Sequence, residues 1–325
     1  MGSVMRVLAA AVLLAFPLAV TQAAFAQPPS SESTSSESTT RIPRTADGRP
    51  DLQGIWFSGY MAPLERPDGF GTLVIPPAEK TAAIAKMKEW FSEGEVYDPE
   101  ADVNPIQPAL LEIDGQLRSS LIVAPADGKL PLTALASAVF DADRPKHEQY
   151  EDRPSSERCL GGLAQAPLSA VHLPIPLRIV QTPKSLAFAA EDYNPARIIA
   201  MTGGLPPDAL RSPDGYSRGR WEGDTLIVET SHFATPGPPG GVIWRTAAPV
   251  TADSRVIERF RMTSADSILY QFTVEDPSLF KQPWLAEFML HRTDLGFFEY
   301  ACHEGNHSII HVLTAARLGL QEVDD

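Results

Sequence analysis

From Leu177 onward the chain is a succession of strand-length apolar runs, most of them separated by gaps too short for a helix, and that pattern leaves few folds open. The runs are Leu177–Gln181, Leu186–Glu191, Ile198–Met201, Thr225–Thr230, Val256–Met262, Ile268–Glu275, Trp284–Arg292 and Phe297–His303. Turn clusters divide them: Trp221-Glu222-Gly223-Asp224, Ser264-Ala265-Asp266, Asp276-Pro277 through Pro283, and Asp294 through Gly296. Parallel neighbours need a crossover, usually a helix, whereas antiparallel neighbours need only a turn. The chain is therefore expected to be mainly β: an antiparallel meander forming a curled sheet or calycin-like barrel, with a few peripheral helices and a C-terminal helix. With 30 prolines against 22 glycines, a long-helix or coiled-coil protein is excluded.

Ahead of the meander, residues 78–92 carry Ala83, Ile84, Met87, Trp90 and Phe91 at helical spacing, with Gly94 as the stop. Residues 95–165, rich in Pro, Asp and Ala, read as long loops with short helices. The short strand Gly54–Phe57 opens the folded part. Ser308–Leu318 puts Ile309, Val312, Leu313 and Ala316 on one helix face, with Gly319 as C-cap, a helix expected to plug or cover the sheet. The domain plan is 1–26 signal peptide, 27–45 flexible Ser/Thr-rich leader, and 46–320 a single β-rich domain. Arg6, the apolar stretch Leu8–Val20 and Ala24-Phe25-Ala26 form the signal peptide and its cleavage site, which implies a periplasmic or secreted, soluble protein.

A formal charge of −14, from 27 basic and 41 acidic residues, excludes non-specific binding to nucleic acid or anionic membrane. The expected partner is a small-molecule ligand or substrate, with no membrane insertion once the signal is removed; oligomeric state is left open. The two cysteines, Cys159 and Cys302, are either one disulfide closing a loop of more than 140 residues or two buried thiols; export favours the disulfide.

His303-Glu304-Gly305-Asn306-His307 matches the H-E-x-x-H zinc-peptidase pattern, which needs both histidines on one continuous helical turn. Here the segment follows an expected strand, and Gly305-Asn306 interrupts any helix; Asn306 or Ser308 is the more natural N-cap of the helix that follows. No metal and no cofactor is assigned, although His303, His307 and His311 leave a metal site of another kind open. Alternation places Leu285, Glu287, Met289 and His291 on one face of their strand, and Phe297, Glu299, Ala301 and His303 on one face of the next. If the two pair, carboxylates and imidazoles share either a solvated face or a pocket lining. Arg218 and Arg220 beside Trp221 and Asp224 read either as a fork and ring for a carboxylate or sugar, or as a hairpin whose Trp packs on the core.

Pro50-Asp51-Leu52-Gln53-Gly54-Ile55-Trp56, Gly219 through Leu226, and Glu299 through Asn306 resemble the motifs of a large group of exported bacterial proteins. Thr273 through Pro277 and Lys281 through Trp284 resemble its penultimate block, and Gly54-x-Trp56 is reminiscent of lipocalin-like barrels. The resemblance implies a shared fold and export and carries no activity with it. This chain departs from the pattern at His307, where Tyr is frequent, and at Thr202–Pro207, where Asp-Gly-Arg is common.

Two functions from different classes follow. One is acid–base catalysis, a lyase or hydrolase of a sugar-like or aromatic compound, with His303, Glu304 and Glu299 as catalytic residues and Arg218, Arg220, Trp221, Asp224 and Asn306 holding substrate. The other is a non-catalytic β-barrel that binds a ligand. An H-E-x-x-H metal-dependent hydrolase and a purely structural envelope protein are the remaining alternatives.

Overall fold

A computed structural model describes residues 41–58, 60, 62–92, 110–141, 149–150, 159, 162, 164–168, 175–192, 196–234 and 250–318. The signal peptide, most of the leader, Gly94 and Gly319 lie outside them.

The meander closes into a barrel. Nine strands form the ring: β1 (Gly54–Phe57), β6 (Leu177–Gln181), β7 (Ser185–Ala190), β8 (Arg197–Ala200), β9 (Tyr216–Glu222), β10 (Thr225–Ser231), β11 (Arg255–Ser264), β12 (Ser267–Glu275) and β13 (Trp284–Arg292), with β1 paired to both β6 and β13. A closed ring must contain an even number of antiparallel neighbours, so nine strands cannot all alternate. The odd contact is β8–β9, which is parallel through Ile199↔Ser217 and Ala200↔Arg218. The antiparallel expectation therefore holds everywhere in the ring except at this one seam.

Between β1 and β6 the chain builds the barrel's outer cover. A small sheet of β2 (Val74–Ile75), β4 (Gln116–Arg118) and β3 (Glu112–Ile113) stands with α1 (Lys80–Ser92), which a 3-10 turn at Pro77–Glu79 introduces. Ile75, Ala83, Met87, Leu110 and Leu117 form its own apolar cluster. β5 (Ile122–Ala124) adds to the first half of β13, and α2 (Ala134–Asp141) follows. Residues 112–124, expected as loop, hold three strands of two or three residues, too short to show a period.

Alternation sets the two surfaces of the barrel. Trp56, Ile179, Phe188, Val228, Phe260, Tyr270, Phe272 and Phe288 point inward and are almost fully buried. Ring centroids 4.8–5.6 Å apart link Phe188, Phe260, Tyr270, Phe288, Phe272 and Trp284 into one aromatic chain. Side chains thus fill the lumen, as a barrel of this strand number allows.

Three expectations need correcting. Phe297–His303 is not a strand: β13 already pairs with β12 along one edge, and with β5 and β1 along the other, so no edge remains. The chain there runs irregularly into α3 (Cys302–Gly305). The last helix, α4 (Ser308–Arg317), does not plug the barrel: the expected face is only half-buried and none of its residues is fully buried. Finally, residues 41–45, assigned to the leader, are docked. Arg44 bridges to Pro50 and holds Asp224 through two hydrogen bonds of 2.8 and 2.6 Å.

Candidate functional site

Inside the apolar lumen sits one charged network. Inward position 197 of β8 is Arg and inward position 258 of β11 is Glu, 5% and 0% exposed. Arg197 Nε donates to Ser217 Oγ (2.8 Å), Nη2 to Thr230 Oγ1 (2.8 Å), and Nη1 to Glu258 Oε1 (3.0 Å), while Nη2 also meets Glu258 Oε2. Ser217 and Thr230 hydroxyls are themselves 2.9 Å apart. Burial, reinforced by the Glu258 carboxylate, pushes the Tyr270 hydroxyl well above its ordinary range. It therefore stays protonated and donates to Glu258 Oε1 (2.9 Å). Leu168 N–H donates to the same hydroxyl (2.8 Å), so the segment 164–168, with Ala164, Ala166 and Leu168 buried, is seated on the network. Every charge is met, which is the condition for burying an ion pair at all. Sequence reading missed this pair, although a Glu alternating with Val256, Phe260 and Met262 was its available signal.

The outer face of β9–β11 carries a second group. Register aligns Arg220, Ile227 and Arg259 across three strands, Arg218 with Glu229, and Arg261 with Thr225. Ile227, at the centre, is 1% exposed despite facing outward. Arg220 pairs with Glu222 on its own strand (2.7 Å), and Arg255 takes both Glu229 (2.8 Å) and Glu275 (2.9 Å). Hydrogen bonds from Arg255 hold the Glu229 carboxyl below its usual range, with Arg220 and Arg218 adding to the effect. Arg218, Arg259 and Arg261 have no hydrogen-bond or ion-pair partner among the described residues.

Period two separates the residues grouped from sequence around the β9–β10 hairpin. Arg218 and Arg220 project outward, whereas Trp221, opposite Leu226, packs on the interior core with the Arg49 guanidinium 5.9 Å from its ring. Fork and ring therefore do not share one ligand. Asp224 belongs to the hairpin turn, where Gly223 has φ +58° at the first central position, as a type II′ turn requires. The hydrogen bond from Arg44 holds the Asp224 carboxyl low.

The C-terminal group is placed by sulfur. Cys159 and Cys302 are bonded, with Cα atoms 5.9 Å apart and 143 residues between them in sequence. Asn306 Nδ2 donates to Cys159 Sγ (3.3 Å) and Asn306 Oδ1 accepts Ile309 N–H (3.4 Å). His303 and Glu304 are exposed on α3, and Glu299 is exposed before it. No hydrogen bond or ion pair joins His303, Glu304 or Glu299 to one another or to the arginines among the described residues. The H-E-x-x-H segment is split between two helices, with His307 at the cap of α4. Among the described residues, no three His, Cys, Asp or Glu side chains are grouped to hold a metal ion.

On β13 the expected set Leu285, Glu287, Met289 and His291 does share one face, the outer one. It is neither solvated nor lumenal, because the cover packs on it. Arg118 reaches Glu287 (3.5 Å), Gln271 Nε2 donates to Glu287 Oε2 (2.9 Å), and Tyr60 lies edge-on to His291 with centroids 5.9 Å apart. Burial lowers the His291 pKa, so the ring is neutral at neutral pH.

No helix among the described residues is long and apolar enough to cross a membrane. Comparison with protein-family models, with curated proteins and with solved structures gave no match.

Proposed function

We propose that this chain is an exported binding protein that takes a small anionic molecule, such as a sugar acid with more than one negative group, on the outer face of β9–β11. The observation that carries the reading is the set of guanidiniums that make no hydrogen bond or ion pair, Arg259 and Arg261 together with Arg218, which faces Glu229 across the strand pair, in a chain of formal charge −14. Arginine's planar fork matches carboxylate geometry, and a strand spacing of about 4.8 Å with an i, i+2 spacing of about 6.7 Å suits a ligand with repeated charges. The filled lumen favours an outer site over an enclosed one. The disulfide supports an oxidising compartment, hence periplasm or secretion.

Each exposed arginine–carboxylate contact contributes about 0.2–1 kcal/mol. The triple variant R218A/R259A/R261A should then weaken binding of an oligouronate by about 3- to 150-fold. Titration calorimetry on the mature chain checks this. Equal affinity for a neutral oligosaccharide of the same length, or an unchanged Kd in the triple variant, rejects the proposal.

Acid–base chemistry at His303 and Glu304 is the second reading. What favours it is the double tether, Cys302 and Asn306 both fixed to Cys159. H303A would then fold as the wild type does and lose turnover; retained turnover removes His303 from the role.

A further inference from the structure

We infer that Arg66, remote in sequence from the β9–β11 face and independent of it, anchors a buried site for a compact oxyanion: a carboxylate, a sulfate or a phosphate. Arg66 is 7% exposed, and its Nε is fully buried without a hydrogen-bond partner. No ion pair or hydrogen bond of its side chain exists among the described residues. A guanidinium whose Nε is out of water with no counter-charge beside it is unfavourable, and chains bury arginine where something compensates it. Its Nη ends, which are not fully buried, are the donors left for a ligand.

The local acids are all engaged elsewhere. Glu65, its neighbour in the chain, accepts Leu130 N–H (2.5 Å). Asp127 accepts Lys129 N–H (3.1 Å), and Asp68 faces Lys129 Nζ (3.5 Å). Three carboxylates within a few residues of the same turn thus leave Arg66 alone, so the missing partner is not a side chain of that turn.

The seat is built to hold the guanidinium where it is. Arg66 N–H donates to Gly128 O (2.9 Å), and Gly128 N–H closes the turn onto Pro125 O (3.0 Å). Gly128 has φ +70°, and a Cβ there would stand 2.9 Å from Arg66 Cβ and 3.0 Å from both Cζ and Nη2. Only glycine leaves room for the planar group to lie against the turn. A fork fixed in orientation, rich in donors and lacking an acceptor fits a ligand that brings two acceptor oxygens.

The test is thermal melting of the mature chain at constant ionic strength, with sodium chloride replaced stepwise by sodium acetate, sulfate or phosphate. Wild type should gain several degrees with at least one of the three, rising with the logarithm of its concentration. R66M should show no shift beyond the general salting effect seen with all three. It should also melt no lower than wild type in chloride alone, because it removes an uncompensated charge. R66K, which keeps the charge without the fork, should respond more weakly than wild type. Calorimetric titration of wild type, expected to give one anion per chain, keeps the test open if R66M does not fold. Equal shifts in wild type and R66M, or no saturable response to any of the three anions, overturn the inference. R218A/R259A/R261A should keep the full response, which separates failure here from failure of the β9–β11 proposal.

Discussion

Replacing Arg197 by Met should cost far more than its loss of contacts implies. The variant leaves Glu258, 0% exposed, in an apolar lumen with the Tyr270 hydroxyl as its remaining donor. Removing one partner of a buried pair costs about 3–5 kcal/mol, because the other charge stays buried. For a domain of this size that corresponds to a fall in Tm of roughly 6–20 °C. The double variant R197M/E258M removes both charges. Ser217 and Thr230 still bond each other at 2.9 Å, and Tyr270 still accepts Leu168 N–H. The double variant should therefore be more stable than R197M by at least about 2 kcal/mol, a clear departure from additivity. Urea unfolding followed by circular dichroism at pH 7, with all variants fitted for midpoint and slope, measures each term. An R197M variant within 1 kcal/mol of wild type, or a double variant equal to the sum of the singles, would refute the argument that the pair is mutually compensating.

Reduction of Cys159–Cys302 releases a crosslink across 143 residues and should remove about 5 kcal/mol on the chain-entropy model, lowering Tm by roughly 10 °C or more. Thiol titration should find none before reductant and two after; two before would reject the crosslink. His291 has a folded pKa below its unfolded value because burial disfavours the imidazolium. The unfolded chain then binds more protons as pH falls below about 6.5, so stability present above that pH declines beneath it. Denaturation midpoints for wild type and H291F between pH 5 and 8 should diverge at the acid end, with the variant's curve flatter; parallel curves would assign the acid loss to other groups.

Most of the longer strands were legible as apolar runs bounded by turn signals; β9 was not, although its burial alternates, because Ser217-Arg218-Gly219-Arg220 carries no apolar run. β6, β7 and β11 alternate in burial, whereas β10, β12 and β13 hold runs of three to five consecutive buried residues and were read from their apolar content and flanking turns. Phe297–His303 alternates equally well in sequence, and nothing local distinguishes it from β13. What excludes it as a strand is occupancy of both edges of β13, a property of the closed ring. The parallel β8–β9 seam follows from the parity of a nine-membered ring, which no local pattern encodes. The candidate sites were less legible for a related reason. Arg218 and Arg220 could be named from the sequence, but Arg259 and Arg261 join them only through the β10–β11 register. Arg66 stands out only once its burial and the lack of a partner for its side chain are seen.

The first two motifs and the penultimate block hold framework. Trp56 Nε1 donates to Leu52 O (2.9 Å) while the Arg292 guanidinium covers its ring at 4.3 Å, and Leu52 N–H donates to Gln181 Oε1 (2.8 Å), so the first motif joins β1 to β6 and β13. Asp276 is 3% exposed; burial alone would raise its pKa, but hydrogen bonds from Ser254, Ser278 and Thr251 and from Leu279 N–H hold it low and fix the β12–β13 connection. Asp224 anchors residues 41–50 through Arg44. A side chain whose hydrogen bonds are all used in holding the barrel has none to offer a ligand. Charges the framework leaves unmet remain open to recognition. Among the described arginines, Arg66 inside the cover and the group of Arg218, Arg259 and Arg261 on the β9–β11 face make no side-chain hydrogen bond or ion pair, as is also true of Arg41 in the docked N-terminal segment and of Arg178, which lies over the Phe297 ring.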